Sequence, residues 1–343
     1  MVGGCAGGSG TRLADPTPAD PASAGWKAEA LQQVVDYVRG QKTTGFLIIH
    51  QRRILVETNW PLPRDPATAN FQAAFVHGQA PSGALLEDVA SQQKSFVAIL
   101  AGIAVDRHLL DIDNAVSTYV GIGWSRTAPE TEAKVRVRHL LEMNSGLKED
   151  LTSEAEPGAR FFYNTPAYAM LKRVLEAASK RTLDDLTRDW LTAPLGMGDT
   201  SWRLRPAALG DVGNPIGLVT TPRDIAKVGQ MILDAGRAID GRQVISSAQL
   251  RALFRRTSTN PAYGHLWWLN GSGHVLAIGS GAPRREGALV PDAPADMVMA
   301  LGALDRKLFV VPARDLIVVR TGQATPDKEF NRSLWTRVMR AAP

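Results

Sequence analysis

The chain has 343 residues, of which 44% are hydrophobic and 21% are charged, an ordinary composition for a globular protein with a large core. No apolar run approaches the roughly 20 residues that span a bilayer. The formal net charge is +5, but the basic residues form scattered short pairs. A nucleic-acid surface needs clustered charge with interleaved aromatic residues, so we expect no nucleic-acid partner. A solvated basic face, or a preference for anionic substrates, explains the charge equally well.

The first 25 residues are rich in Gly, Ala, Pro, Ser and Asp and predict a disordered tail or tether, with one folded domain over residues 26–343. The single cysteine, Cys5, excludes an internal disulfide. The small residues before Cys5 resemble the end of a bacterial lipoprotein signal, although the apolar stretch of such a signal is missing. We expect a periplasmic protein, tethered to the membrane if Cys5 is lipidated. A cytoplasmic protein with an incidental thiol is the alternative.

The first predicted elements are a helix over residues 30–38, which Gly40 ends, and a β-hairpin. The hairpin consists of Gly45–His50 and Ile54–Glu57 around a polar turn. A strongly apolar helix follows at Lys94–Val105. The next hundred residues are mostly helical with Gly and Pro punctuation, and a further amphipathic helix follows them; the predicted helices are Val137–Met143, Ala167–Ala178, Leu183–Leu191 and Pro222–Ala235.

From Tyr263 onward the pattern changes to strands, followed by a terminal helix over Asp327–Arg340. The predicted strands are His265–Leu269, His274–Ile278, Leu308–Val311 and Leu316–Arg320. We therefore predict an α/β (α+β) fold in which the two sets of strands join into one mixed or antiparallel sheet flanked by helices. An all-helical lobe, at about residues 108–210, is inserted between them.

Ser91 and Lys94 form the first candidate catalytic pair. They lie three residues apart at the start of the apolar helix, so the hydroxyl and the amine share one face. A desolvated lysine has a lowered pKa and can take the serine proton, and the helix N-terminus favours the negative charge of acyl transfer. Ser145 and Lys148 have the same spacing, but Gly146 indicates a helix end there. Spacing alone leaves both pairs open.

The segment Asp88–Phe96 resembles the nucleophile segment of serine β-lactamases, penicillin-binding proteins and related esterases, class C β-lactamases in particular. The resemblance continues in the expected order through nearly the whole chain from Trp26; the matching segments include Arg138–Leu147, Pro157–Thr165, Gly217–Asp224, Trp267-Trp268 and Phe309–Pro312. It implies a β-lactamase/transpeptidase-like fold with the active site between the sheet and the helical lobe. It also implies that Ser91, rather than Ser145, is the nucleophile.

The second motif of this family is Tyr-x-Asn, and here it reads Tyr163-Asn164-Thr165. The resemblance implies that Tyr163 is the catalytic partner of Lys94, because a tyrosinate or a Tyr–Lys pair can accept the serine proton and return it to the leaving group. Tyr168, on the following helix, fits a packed aromatic better. Thr165 lacks the paired donor and acceptor of an amide, which puts recognition of a substrate amide in doubt.

The third motif, Lys-Thr-Gly or His-Thr-Gly in the family, is replaced here by Ala300-Leu301-Gly302. Gly302 leaves room for a substrate at the strand edge. The resemblance implies that the N–H groups of Ser91 and Ala303 form the oxyanion hole. The Trp267-Trp268 pair predicts a wall of an apolar acyl pocket; because side chains alternate along a strand, only one ring, assigned to Trp268, would face the substrate. The cation that grips a β-lactam or peptide carboxylate is missing; possible substitutes, whose more ordinary role is solvated surface, are Arg284, Arg285, Arg306 and Lys307.

Other chemistries find little support. The six histidines are isolated and no His/Cys cluster is present, so neither a metal nor another cofactor is expected. The sequence contains no Gly-x-Ser-x-Gly elbow, which argues against an α/β-hydrolase. The sequence favours a serine hydrolase that cleaves an ester or small linear amide of a small-molecule substrate through an acyl-enzyme. A β-lactamase or DD-peptidase is the first alternative, and a non-catalytic penicillin-binding-like scaffold the second. The oligomeric state is left open.

Overall fold

The computed structural model of the protein describes residues 15–62, 69–70, 74–207, 213–278 and 284–343. Within these ranges no helix is long and apolar enough to cross a membrane. The described strands are β1 Thr17–Pro18, β2 Thr43–His50, β3 Arg53–Asn59, β4 Val76–Gln79, β5 Leu85–Asp88, β6 Ser201–Leu204, β7 Ile216–Thr220, β8 Trp268–Leu269, β9 His274–Leu276, β10 Arg284–Glu286, β11 Val298–Gly302, β12 Arg306–Val311 and β13 Leu316–Gly322.

Most of the described helices lie between β5 and β6, two follow β7, and one lies near each end of the chain. The described α-helices are α1 Ala28–Arg39, α2 Gln93–Asp106, α3 Ser117–Val120, α4 Pro129–Glu132, α5 Val137–Leu141, α6 Thr165–Ser179, α7 Leu183–Thr187, α8 Ala193–Leu195, α9 Pro222–Leu233, α10 Ser247–Leu253 and α11 Phe330–Ala341. A π-helical turn at Arg188–Thr192 joins α7 to α8.

The main sheet has the order β1-β3-β2-β13-β12-β11-β8, with all pairs antiparallel except β1 with β3. Strand β13 pairs with β2, so strands from the two ends of the chain lie side by side, as predicted. Every residue of β2, β12 and β13 is buried. Helices α1 and α11 pack on each other beside β2, and α9 packs on β13, β12 and β2, so the central strands have no solvent-facing side.

Two small sheets complete the fold. One has the order β4-β5-β7-β6, and the other pairs β9 with β10. The predicted strand at His274–Ile278 therefore exists as β9 but lies outside the main sheet. The predicted strand at His265–Leu269 is reduced to Trp268–Leu269, because Leu266 has a left-handed backbone, with φ +57°. The predicted helices are observed with ends that differ by a few residues.

The predicted tail is wrong over its described part, residues 15–25. Thr17 N donates to Arg52 O and Ala19 N to Ile54 O, each at 3.1 Å, so β1 covers the edge of β3, which would otherwise present unpaired backbone groups. Composition carries no signal for such edge pairing. The first 14 residues, Cys5 included, lie outside the described residues. The predicted helical lobe is helical as far as Leu195, after which β6 pairs with β7 in the small sheet.

Candidate active site

Ser91 lies in a tight turn between β5 and α2. Residues Ala90–Gln92 form a single 3₁₀ turn, and Ala90 adopts a left-handed backbone with φ +50°. Val89 N donates to Leu218 O on β7 at 2.9 Å, which ties the start of the turn to the small sheet. Ser91 is only partly buried, whereas its neighbours on both sides are buried. The turn thus presents the Ser91 hydroxyl at the N-terminal end of the apolar helix.

Lys94 is 1% exposed, and its amine lies against Ser91. The Nζ atom donates to Ser91 Oγ at 3.0 Å and to Thr165 Oγ1 at 3.2 Å. It also lies 4.9 Å from the ring centre of Tyr163 and 4.8 Å from that of Tyr168. Burial, with a smaller contribution from the charge of Arg205, lowers the pKa of Lys94 from 10.5 to about 7.

Tyr163 lies on the loop before α6, with Lys94 Nζ 4.9 Å from the centre of its ring. Burial raises the pKa of Tyr163 to about 12, although the Ser91 side chain opposes this shift. The Tyr163 ring stacks on Trp268, with ring centres 6.1 Å apart and an angle of 19°, and meets Tyr263 edge-on at 6.3 Å. Trp268 therefore supports the tyrosine, while Trp267 is fully buried against Phe254.

Thr165, at the position of the family's asparagine, contacts Lys94 rather than open space. It is the first residue of α6, which Asn164 caps by accepting from Ala167 N at 2.9 Å. The Asn164 amide also donates to the carbonyls of Leu147 and Lys148. These bonds tie the Tyr163–Thr165 loop to the helical part of the chain, and this loop carries the Tyr163 ring and the Thr165 hydroxyl that contact the Lys94 amine.

Strand β11 ends beside the 3₁₀ turn Ala90–Gln92, hereafter the nucleophile turn because it carries the predicted nucleophile Ser91. A Cβ atom on Gly302 would collide with Val89 O and lie 3.1 Å from Gln92 N, so only glycine allows this approach. Ala303 follows in an exposed 3₁₀ turn that also contacts the Ala90–Gln92 turn. The structure thus brings Gly302 and Ala303 next to Ser91, where the resemblance expects them. Ala300 is buried in the sheet.

The four candidate substitutes for the missing cation are separated by the fold. Arg284 and Arg285 are exposed; Arg284 pairs with Glu286, and Arg285 donates to the carbonyls of Ala288 and Leu289. The prediction that Arg306 and Lys307 are solvated surface is wrong. Both are buried by the strands around β12, and each has an acidic partner: Glu87 lies 3.0 Å from Arg306, and Asp305 lies 3.0 Å from Lys307.

The competing pair, Ser145 and Lys148, does not converge. Ser145 is buried in a turn in which Gly146 has φ +74°, and its Oγ accepts from Leu147 N at 3.4 Å. Lys148 is exposed. A helix end, as expected, separates the two side chains that a helical spacing would have brought together.

Sequence reasoning missed three residues behind the nucleophile turn: Glu87, Asp88 and Arg205. Asp88 has a sequence signal, since an aspartate often bonds the backbone N–H two residues later, and its Oδ1 accepts from Ala90 N at 2.8 Å. Glu87 and Arg205 have none, because their partners are distant in the chain. Within the described ranges, no group of three His, Cys, Asp or Glu residues could hold a metal ion.

Comparison with known proteins places this geometry in a family. Penicillin-binding protein 4 of Amycolatopsis lactamdurans is 26% identical over 234 residues, which is 55% of this chain and 61% of that protein. Two solved structures share the fold at 16% identity. A Bacteroides dorei protein assigned as a β-lactamase has a TM-score of 0.67, with 92% of this chain and 99% of that one covered. A Bacillus anthracis protein assigned as a 6-aminohexanoate-dimer hydrolase has a TM-score of 0.66, with 90% and 80% covered.

The strongest comparison is with a family model rather than with a single relative. The model described as Beta-lactamase matches residues 33–342, which is nearly the whole chain. The matched range contains the Ser91 turn, the Tyr163 loop and the end of β11. This chain belongs to the beta-lactamase family of serine hydrolases.

Proposed function

We propose that this protein hydrolyses an ester or a small linear amide through an acyl-enzyme on Ser91. The observation that carries the proposal is the buried Lys94 amine, 3.0 Å from Ser91 Oγ, whose pKa of about 7 leaves it partly neutral at physiological pH. A neutral amine has a lone pair and can accept the Ser91 proton, which a protonated amine cannot do. A protein that only bound a partner would need none of Ser91, Lys94 and Tyr163.

In this mechanism Ser91 Oγ attacks the substrate carbonyl carbon while its proton passes to Lys94 Nζ. The N–H groups of Ser91 and Ala303 stabilise the resulting oxyanion. Tyr163 remains protonated because its pKa is raised to about 12. Lys94 then returns the Ser91 proton to the leaving alcohol or amine, directly or through the Tyr163 hydroxyl, as the bond from carbon to that group breaks. Water then attacks the acyl-enzyme by the same route and regenerates Ser91.

The substrate class follows from what lies at the end of β11. Ala300 and Leu301 stand where β-lactamases and DD-peptidases carry a cation and a hydroxyl. Arg306 and Lys307, which follow Gly302 closely in the sequence, are buried in ion pairs of their own. A carboxylate of a β-lactam or cell-wall peptide would lack its usual partner there. An uncharged ester needs no such partner. A linear amide of the kind named for the Bacillus anthracis relative carries its carboxylate at the far end of a flexible chain, away from the scissile amide, so it does not need a cation at this position.

A fluorophosphonate probe tests the enzyme proposal directly, because it phosphonylates only an activated serine, with fluoride as the leaving group. We expect wild-type protein to be labelled and the Ser91→Ala variant to be unlabelled, with the Ser145→Ala variant labelled like wild type as the matched control. If the wild-type protein is not labelled and does not hydrolyse short p-nitrophenyl esters, the enzyme proposal fails and the non-catalytic penicillin-binding-like scaffold is favoured. Labelling that persists in Ser91→Ala would place the nucleophile elsewhere.

A substrate panel separates the remaining classes. We expect hydrolysis of a short-chain p-nitrophenyl ester, of an aminohexanoate dimer, or of both, at rates well above those for nitrocefin and a D-Ala-D-Ala peptide. A preference for nitrocefin or for the peptide would favour the β-lactamase or DD-peptidase alternative instead.

A further inference from the structure

We propose that Glu87 and Asp88, two consecutive buried carboxylates at the end of β5, are positioning residues that hold the two halves of the oxyanion hole. Asp88 holds the turn that carries the Ser91 N–H, and Glu87 holds the turn that carries the Ala303 N–H. Neither carboxylate belongs to the catalytic groups described above. The inference rests on the proposed function and adds to it the residues that aim the backbone donors.

Asp88 acts on the nucleophile turn through Ala90. The direction of the Ser91 N–H is set by the backbone angles of Ala90, and Ala90 is held at φ +50°, a conformation that a residue with a Cβ atom disfavours. Such strain persists only where the surroundings enforce it. Asp88 Oδ1 enforces it by accepting from Ala90 N at 2.8 Å.

The Asp88 carboxylate is itself fixed by a two-pronged ion pair. Arg205 Nε donates to Oδ2 at 2.6 Å and Arg205 Nη2 to Oδ1 at 2.9 Å, with 7% and 1% of the two side chains exposed. Gly217 packs against the pair so closely that a Cβ atom there would collide with both side chains. The carboxylate therefore has one position available, and that position sets Ala90.

Glu87 acts on the opposite turn through Arg306. Glu87 Oε2 accepts from Arg306 Nη2 at 3.0 Å, and neither side chain is exposed. Arg306 Nη1 donates in turn to Ala303 O at 3.3 Å. Glu87 Oε1 accepts from Thr44 Oγ1 on β2, which anchors the carboxylate to the main sheet.

The Ala303 turn needs such support because its next two residues, Leu304 and Asp305, are also left-handed, with φ +61° and +60°. A second buried arginine, Arg320, holds their carbonyl groups at 3.0 and 2.9 Å. Since Glu87 and Asp88 are adjacent on one strand, β5 couples the two turns and sets the gap between the two N–H donors.

The test uses variants that keep side-chain size but remove the charge: Asp88→Asn and Glu87→Gln. Glu132→Gln is the matched control, because Glu132 is also a buried carboxylate and accepts from the backbone N–H of Gly123 and Ser125, in the helical lobe. Four quantities are measured: kcat and KM for a p-nitrophenyl ester, the inhibition constant of an alkyl boronic acid, and the melting temperature. The boronic acid forms a tetrahedral adduct on serine and so reports on the oxyanion hole.

We expect kcat to fall about 10- to 100-fold in Asp88→Asn and Glu87→Gln, below the 10²- to 10³-fold loss for complete removal of one donor. KM should stay within about threefold, and the boronic acid should bind more weakly by a factor similar to the loss in kcat. The Glu132→Gln control should keep the wild-type kcat and the wild-type inhibition constant of the boronic acid, even if its melting temperature falls. Arg205→Lys keeps the charge but breaks the two-pronged geometry, so it should show a smaller loss of the same kind if Asp88→Asn does not fold.

Unchanged kcat and boronic acid affinity in these variants, or the same losses in Glu132→Gln, would overturn this inference while leaving the proposed function intact. A rise in KM with an unchanged kcat would also overturn this inference. Wild-type protein that forms no fluorophosphonate adduct on Ser91 would overturn the proposed function and this inference together.

Discussion

Burial shifts the pKa values of Lys94 and Tyr163, the two residues beside Ser91, in opposite directions. Burial disfavours the charged form of each group, so it lowers the pKa of the lysine to about 7 and raises that of the tyrosine to about 12. Near neutral pH the lysine is therefore partly without its proton, while the tyrosine keeps its own. Two groups with opposite shifts around one nucleophile are the arrangement expected of a base and a proton donor.

The pH dependence of kcat/KM follows from the pKa of Lys94. Only the neutral amine accepts the Ser91 proton, so activity should rise with pH through an apparent pKa of about 7 and show no fall attributable to Tyr163 below about pH 11. Stopped assays with a p-nitrophenyl ester between pH 5 and 10 measure this profile, corrected for spontaneous hydrolysis. A rising limb near pH 10 would contradict a lysine with a lowered pKa.

Thr165 should orient the Lys94 amine, because its Oγ1 accepts from Nζ at 3.2 Å. Thr165→Val has nearly the same shape but no acceptor, so we expect kcat to fall about tenfold as the amine loses its alignment with Ser91. Thr165→Ser keeps the hydroxyl and should retain most of the activity. Equal rates in the two variants would show that the Thr165 hydroxyl plays no part.

At the scale of elements, the site forms where β5, α2 and β11 meet. The 3₁₀ turn between β5 and α2 carries Ser91, and the end of β11 approaches this turn across Gly302. Helix α2 is buried over nearly all its length, so the lysine that faces Ser91 is withdrawn from water by the same packing that holds the helix. The chemistry thus depends on contacts between elements rather than on any one of them.

Gly302→Ala tests this contact. The new methyl group would collide with Val89 O, so we expect β11 to move away from the nucleophile turn. Overpacking of this kind costs about 1–3 kcal/mol of stability, and kcat should fall at least about tenfold because Ala303 N–H moves with the strand. Assays and thermal melts of the variant check both effects.

Gly198→Ala is the control for that substitution, since a Cβ atom on Gly198 meets no atom within 4 Å and its φ is not positive. It should leave stability and activity nearly unchanged. Similar losses in the two variants would contradict a specific role for the close approach at Gly302.

At the scale of the whole molecule, the lowered pKa values of two of the buried lysines, Lys94 and Lys172, make stability depend on pH. Lys172 Nζ donates to Asn214 Oδ1 at 2.7 Å and to Ile216 O at 2.6 Å, and burial lowers its pKa from 10.5 to about 6. At pH values between the folded-state pKa values, about 7 for Lys94 and about 6 for Lys172, and the ordinary value of 10.5, the unfolded chain binds protons at these lysines that the folded chain does not. The free energy of unfolding should therefore rise with pH, by at most about 1.4 kcal/mol per pH unit for each lysine.

Urea unfolding at pH 7, 8 and 9 measures this slope. In Lys172→Met the unfolded chain no longer carries the extra proton, so we expect the free energy of unfolding to rise less steeply with pH than in the wild type. Exchange of an exposed lysine, Lys180→Met, is the control and should leave the slope unchanged. A wild-type stability that is flat or falls over this range would contradict the lowered pKa values.

The sequence by itself determined the elements and site residues that depend on local spacing. The hairpin of β2 and β3, the apolar helix α2 and the terminal helix follow from periodicity, because side-chain burial repeats with the period of the element. The Ser91–Lys94 contact follows from two residues three apart at the start of a helix. Tyr163 and the end of β11 required the resemblance to a family, since no local pattern links them to Ser91.

The tertiary structure alone decided how far each lysine is withdrawn from water, because only packing shows that Lys94 is buried and Lys148 is exposed. It also decided the edge pairing of β1 and the burial of Arg306 and Lys307, which composition places at the surface. The pKa of Lys94 and the link from Glu87 to Arg306, 219 residues apart, arise from desolvation and from contacts across the sheet. These depend on where distant segments meet in space, and spacing along a chain carries no record of that.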